Sequence, residues 1–200
     1  MAENNEAVQT GGMGKILKLG AILFTVTAIT GLILGVVYEI TAAPIAETQK
    51  RLKAEALAAA LPEAQTFEPR ELASGTDPAV KEVQDARAGS DLVGYCVTVV
   101  TKGYAGPIET VVGVTKEGKL RAIRILNQSE TPGLGAKAPL PAFSGQYENK
   151  DVAAFTVVTT PPGDPGQIQA ISGATITSNA VTAGVNAALD YWKNNLRGGN

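Results

Sequence analysis

The segment SGATITS (172–178), near the end of the chain, is rich in hydroxyl side chains. It lies between a predicted strand and the last predicted helix, where the first helical N–H groups lack partners and the helix dipole favours an anion. Small residues between the hydroxyls leave room for a ligand. The pattern fits phosphate binding, and it fits a simple Ser/Thr-rich helix cap equally well. The four hydroxyls belong to Ser172, Thr175, Thr177 and Ser178.

A second candidate is the glycine-rich segment ETPGLG (130–135), which follows a predicted strand. Pro132 and Gly133 predict a tight turn, and the glycines allow the backbone to approach a planar ligand closely. Lys137, two residues further on, could hold a negatively charged group. Taken alone, this pattern is most typical of a surface turn.

The composition excludes several kinds of chemistry. The 200 residues include no histidine, which rules out a Ser-His-Asp triad, a His-ligated haem and a two-His metal site. The one cysteine, Cys96, allows no intrachain disulfide, CxxC pair or Cys-ligated iron–sulfur cluster. The sequence contains no P-loop and no GxGxxG pattern. A net charge of −2 argues against nucleic acid as a partner.

Two conspicuous side chains have structural interpretations. Cys96 lies within a predicted strand between Tyr95 and Val97, which favours a buried small hydrophobic residue over a reactive thiol. Trp192 lies on the apolar side of the last predicted helix, where core packing is the simplest role.

An apolar segment precedes the region that carries these motifs. Residues 19–38 run for 20 residues without a charge, and as a helix they would measure about 30 Å, the thickness of a bilayer core. A signal peptide has a shorter apolar region of about 7–15 residues. We therefore predict a tail (1–18), a retained transmembrane helix (19–40), and a juxtamembrane helix with a connector (41–90).

The charges that flank this span do not fix its orientation. Lys15 and Lys18 precede it, whereas Lys50, Arg51 and Lys53 follow at a greater distance. The nearest charges favour an N-terminus inside the cell.

The remainder, residues 91–200, predicts an α+β domain of antiparallel strands followed by a terminal helix. Strands rich in β-branched residues are predicted at 92–101, 108–116 and 119–128, with a hairpin turn at Glu117-Gly118. Shorter extended segments are predicted at 153–159 and 167–171. A helix is predicted at 179–196, with Ser178 as its N-cap. Residues 62–90 predict an irregular connection with one short strand at most.

Together the motifs resemble those of the FMN-binding G subunit of the Rnf electron-transport complex. The resemblance rests on one N-terminal span, then Gly103-Tyr104-Ala105-Gly106, then ETPGLG (130–135), then SGATITS (172–178). The chain is more distantly similar to the C subunit of the sodium-pumping NADH:quinone oxidoreductase. The resemblance implies an FMN-binding domain of antiparallel strands with flanking helices, behind one transmembrane helix.

The same resemblance implies roles for single residues. FMN would be attached through its phosphate to the hydroxyl of Thr175, by a separate flavin transferase that takes FMN from FAD. The phosphate would be lined by Ser172, Gly173, Ala174 and Thr177. The flavin ring or its ribityl chain would be approached by Glu130, Thr131, Leu134, Gly135 and Lys137. One position departs from the family pattern, since the acidic residue expected three positions before the motif serine is Gln169.

The function implied is electron relay within a membrane complex that couples ferredoxin:NAD electron transfer to Na⁺ or H⁺ movement. The domain would lie on the periplasmic or extracellular side of the bacterial cytoplasmic membrane, with the other subunits, the transferase and the bilayer as partners. Alternatives are a free-standing extracytoplasmic FMN reductase and a membrane-tethered assembly module without flavin. No metal site and no catalytic acid or base are expected in this chain.

Overall fold

The structure, a computed structural model, describes residues 10–197. The chain divides into two units with the boundary between Lys50 and Arg51, and each is described by itself. Residues 1–9 of the predicted tail lie outside the described part of the chain.

The first unit is built on helix α1 (Thr10–Ala60), whose last turns belong to the second unit. Its apolar side chains are exposed, Phe24 at 73% and Leu32 at 70%, over a segment long enough to cross a bilayer. The sequence predicted a tail to residue 18 and two separate helices, and that prediction was wrong. The helix already includes Thr10, and Pro44 lies inside it. A proline removes only one i→i−4 backbone bond, and in the next turn the side-chain hydroxyl of Thr48 donates to the Pro44 carbonyl at 2.9 Å.

The second unit is organised around a five-stranded antiparallel sheet in the order β1-β2-β3-β4-β5. The strands are β1 (Thr66–Arg70), β2 (Val80–Ala88), β3 (Asp91–Lys102), β4 (Pro107–Thr115) and β5 (Leu120–Asn127). The last three confirm the predicted strands, and a turn at Glu117-Gly118 joins β4 to β5, with the Gly118 N–H donating to the Thr115 carbonyl at 2.9 Å. The first two correct the prediction of an irregular connection, so the sheet begins before residue 91.

Short elements follow β5. A 3₁₀ turn (Gly135–Lys137), helix α2 (Pro141–Ser144) and a second 3₁₀ turn (Gly145–Tyr147) lead to strands β6 (Thr156–Val158) and β7 (Gln167–Gln169). These two strands pair in parallel, which differs from the antiparallel arrangement predicted. Helix α3 (Thr175–Tyr191) and a wide π-type turn (Trp192–Leu196) end the described chain.

Both faces of the sheet are covered. Helix α3 packs on one face, where Val181 and Val185 meet Val97, Val99 and their neighbours in a buried cluster. The end of α1 packs on the other face, against a smaller cluster that includes Cys96 and Val111. Because β3 and β4 are covered on both faces, their central residues are buried in continuous runs, 94–99 and 110–114, rather than in alternation.

The helix start corrects another prediction. Helix α3 begins at Thr175, with Ala174 as its N-cap residue, and not after Ser178. Ser178 lies one turn inside the helix, where its hydroxyl donates to the Ala174 carbonyl and accepts from the Ile171 N–H, each at 3.0 Å. The Ser178 hydroxyl therefore bonds backbone groups of the loop before the helix and not the N–H groups of the first helical turn.

Cys96 gives a first testable prediction. Its side chain is fully buried, and this burial raises the pKa of the thiol to about 12. We expect the folded protein at pH 8 to react with a thiol reagent at least about a thousandfold more slowly than a free cysteine, because the thiolate is the reactive form. Ellman's reagent measures this, with the denatured chain as control. Rapid labelling of the native protein would contradict the assigned burial.

Candidate functional site

The loop after β5 carries the ETPGLG segment and forms the predicted tight turn. The carbonyl of Thr131 accepts from the N–H groups of Leu134 at 3.1 Å and Ala136 at 3.2 Å. Gly133 has φ +78°, a conformation that side chains with a Cβ rarely adopt. This turn presents Leu134 and Gly135 toward the start of α3.

The loop before α3 presents the hydroxyl of Thr175. Gly173 reverses the chain with φ +74°, and Thr175 is the first residue of the helix, with its side chain exposed. Among the described residues no side chain caps this helix end, so the N–H groups of the first turn remain available to a ligand. The geometry therefore joins a free hydroxyl to an anion-binding helix end.

Glu130 connects this helix end to a third segment, the β3–β4 loop. The residue is 4% exposed, and its carboxylate accepts hydrogen bonds from the backbone N–H of Ala105 at 2.9 Å and of Tyr104 at 3.3 Å. It also accepts from the hydroxyl of Thr177 on α3. One carboxylate thus joins Tyr104, which lies 26 positions before Glu130, to Thr177, which lies 47 positions after it.

Two glycines make room for this carboxylate. A Cβ on Gly103 would lie 2.5 Å from its Oε1 atom, and a Cβ on Gly135 would lie 2.8 Å from both Oε2 and Cβ of Glu130. Such distances are far below ordinary contact, so a side chain at either position would have to displace Glu130.

The charge state of Glu130 follows from its surroundings. Burial acts to raise its pKa, but the hydrogen bonds from Thr177 and from the backbone of Ala105, Tyr104 and Gly106 outweigh burial, and the pKa is lowered overall. The carboxylate is therefore ionised at neutral pH.

These segments surround a cleft of about 570 Å³, within the usual range for small-molecule sites. Three apolar side chains at its rim are exposed, Tyr104 at 70%, Ile176 at 57% and Leu134 at 41%. The full lining comprises Tyr104, Glu130, Thr131, Leu134, Gly135, Gly173, Ala174, Thr175, Ile176 and Thr177.

The structure brings most of the predicted site residues into this one cleft, with three differences. Ser172 is exposed but is not part of the lining. Lys137 borders a separate hollow of about 190 Å³ beside Gln169, because it lies two residues beyond Gly135 in a 3₁₀ turn and so points to another side. The predicted role of Lys137 in this cleft is therefore not supported. Thr177 lines the cleft, but its hydroxyl is used by Glu130.

Two lining residues were not predicted as part of the site. Tyr104 is an exposed aromatic between glycines in the segment GYAG, and Ile176 is an apolar residue between two threonines at a helix start. Each stands out as an apolar side chain where a polar one would be expected, and this is the signal that could have identified them.

The cleft fits FMN in its donor set and its shape. The free N–H groups and the Thr175 hydroxyl suit a phosphate. The apolar rim of Tyr104, Leu134 and Ile176 suits a planar ring.

Comparison with known proteins agrees with this fit. Residues 103–190 match a family model described as an FMN-binding domain. The chain is 35% identical over 193 residues to the G subunit of the Na(+)-translocating ferredoxin:NAD(+) oxidoreductase complex of Acetobacterium woodii, covering 90% of this chain and 92% of that one. It is 37% identical over 162 residues to the G subunit of the proton-translocating ferredoxin:NAD(+) oxidoreductase complex of Clostridium ljungdahlii, covering 81% and 83%.

A solved structure shares the fold of the second unit. The C subunit of the Na(+)-translocating NADH-quinone reductase from Parabacteroides distasonis aligns with a TM-score of 0.50 at 25% identity. The alignment covers 60% of this chain and 64% of that one, just under two thirds of its length. The identities over nearly the whole chain, with the matching domain model and cleft, show that the chain belongs to the family of G subunits of ion-translocating ferredoxin:NAD oxidoreductase (Rnf-type) complexes.

Proposed function

We propose that this chain is the membrane-anchored electron-transfer subunit of an Rnf-type complex and carries FMN in a phosphoester bond to Thr175. The observation that carries the proposal is the exposed Thr175 hydroxyl at the uncapped start of α3, inside a cleft with an apolar rim. The FMN-binding domain model supports FMN as the cofactor.

The attachment is a group transfer from FAD. A flavin transferase forms a bond between Thr175 Oγ1 and the phosphorus on the FMN side of the FAD pyrophosphate. The pyrophosphate linkage breaks, AMP leaves, and the hydroxyl proton is released. The phosphodiester keeps one negative charge, which the N–H groups of α3 stabilise.

The residues of the cleft then hold and orient the cofactor. The apolar side chains of Tyr104, Leu134 and Ile176 exclude water from its ring, and the ETPGLG turn forms one wall. When bound, FMN supplies the electron chemistry, because a flavin accepts one or two electrons and connects one-electron with two-electron carriers.

Ion movement belongs to the rest of the complex in this proposal. The relatives at 35% and 37% identity are named for Na⁺ and for proton translocation, respectively. Similar chains therefore serve complexes with different ions, which supports a role for this chain in electron transfer rather than in ion selection.

The experiment that tests the function is the detection of covalent flavin in the full chain. After expression with a flavin transferase, the denatured protein should fluoresce in a gel, and its mass should exceed the unmodified mass by FMN less water. A colourless protein of unshifted mass would contradict the proposal and favour an assembly module. Comigration with other membrane subunits in a blue-native gel separates a member of a complex from a free-standing reductase.

We also propose that the second unit faces the periplasm or cell exterior, as the family resemblance implies. A cysteine introduced by Lys116→Cys, at an exposed position, should react in intact cells with a membrane-impermeant maleimide, whereas Lys15→Cys should not. The native Cys96 is buried and contributes no background in the folded protein. Labelling of Lys15→Cys but not of Lys116→Cys would show that the protein has the opposite orientation.

A further inference from the structure

Glu130 is the one carboxyl group in the lining of the cleft, and that lining contains no lysine or arginine. The nearest basic side chain along the loop, Lys137, borders the separate hollow. Within the described part of the chain, Glu130 has no ion-pair partner, since its contacts come from the hydroxyl of Thr177 and from backbone N–H groups. These neutral donors stabilise the ionised form without cancelling its charge. The cleft therefore has a fixed negative charge in its wall.

Keeping this charge requires several features of the fold. Glu130 as a residue is 4% exposed, so its ionised carboxylate has little contact with water and needs hydrogen bonds from the protein. The loop at residues 103–106 and helix α3 supply them, and glycines at 103 and 135 give the space.

We infer that the negative charge of the Glu130 carboxylate lowers the midpoint potential of the flavin held in the cleft. This inference rests on the proposed function, since it requires FMN at Thr175. An external reductant supplies two electrons, and water supplies the protons. When reduction brings fewer protons than electrons to the flavin, negative charge increases in the cleft. The fixed negative charge of Glu130, in a wall that has little contact with water, repels the added charge and makes reduction less favourable.

The test is a redox titration of the full-length, flavinylated protein in detergent, with dithionite and mediator dyes. We compare the wild type with Glu130→Gln, which has nearly the same shape, and with Thr177→Val, which removes one hydrogen bond and keeps the carboxylate. In Glu130→Gln the ratio of reduced to oxidised flavin at a given ambient potential should rise at least about tenfold. For two electrons this corresponds to about 30 mV toward more positive potential. Thr177→Val should shift less than half as far.

The two variants separate charge from structure. A Glu130→Gln potential equal to that of the wild type would overturn the inference, and so would an equal shift in Thr177→Val, because Thr177→Val loosens the link to α3 and leaves the charge in place. Loading is checked first by intact mass. An unmodified wild type refutes the proposed function, whereas a loaded protein with an unchanged potential refutes only the role of Glu130.

A measurement on the wild type covers the case in which Glu130→Gln does not fold. In protein labelled with ¹³C-glutamate, the reduced-minus-oxidised infrared spectrum should show a shifted band of an ionised carboxylate. A protonated carboxyl band in the oxidised protein, or no glutamate band at all, would overturn the inference.

Discussion

We expect the Thr175→Ala variant to carry no covalent flavin. The phosphoester needs a side-chain oxygen at this position, and alanine has none. The folded domain should be unaffected, because the Thr175 side chain is exposed and alanine is the stronger helix former. Unfolding free energy should therefore remain within about 0.5 kcal/mol of the wild-type value. In-gel fluorescence of the denatured protein and its intact mass measure the loss.

Two further variants make this result specific. Thr159→Ala changes another exposed threonine outside the cleft lining and should keep full flavin fluorescence. Thr175→Ser restores a hydroxyl and should recover part of the attachment. If Thr175→Ala still fluoresces after denaturation, the flavin is attached elsewhere and the proposed linkage is wrong.

The largest expected effect on stability belongs to Gly113 in the centre of the sheet. A Cβ at this position would lie 2.6 Å from the carbonyl carbon of Ala60 and nearer still to its oxygen, since the end of α1 rests directly on β4. Backbone atoms cannot move aside as a flexible side chain can. We expect Gly113→Ala to cost about 3 kcal/mol, the upper end for overpacked cores. For a unit of this size, the melting temperature should fall by roughly 6–12 °C.

Thermal unfolding of the flavin-free full chain in detergent can be followed by the fluorescence of Trp192, the one tryptophan in the sequence. Gly145→Ala is the matched control, because a Cβ there meets nothing within 4 Å and the residue has φ −66°. Its stability should be unchanged or raised by up to about 1 kcal/mol. Equal melting temperatures for the two variants would show that α1 does not press on the sheet.

The missed strands show where sequence patterns are insufficient. In β2 the buried apolar residues Val80, Val83 and Ala86 are spaced by three. A register shift between Val80 and Glu82 accounts for the first interval, and Val83 and Ala86 lie in the two different buried clusters on opposite faces of the sheet. The two-residue period that identifies a strand is thereby lost. The intervening polar residues also obscure the pattern. Asp85, for example, accepts two hydrogen bonds from Arg70 of β1, at 2.6 and 2.9 Å, and these hold the edge strand.

Local features could be predicted from the sequence because their physical causes are local. Strands β3 to β5 are rich in β-branched residues, the turn at Gly118 is short, and the apolar segment after Lys18 is long enough for a bilayer. The hydroxyl cluster around the start of α3 predicted an anion site there for the same reason, since unpaired N–H groups occur at every helix start, and this stays a prediction.

Only the tertiary structure decided how the motifs act together. Tyr104, Glu130 and Thr177 are far apart in the chain, and nothing local to any of them predicts that one carboxylate accepts hydrogen bonds from the other two. The same folding places Lys137 outside the cleft and leaves Glu130 as its charged residue. The sign of the charge beside a ligand depends on which distant segments the sheet and α3 bring together, and that is a property of packing rather than of sequence spacing.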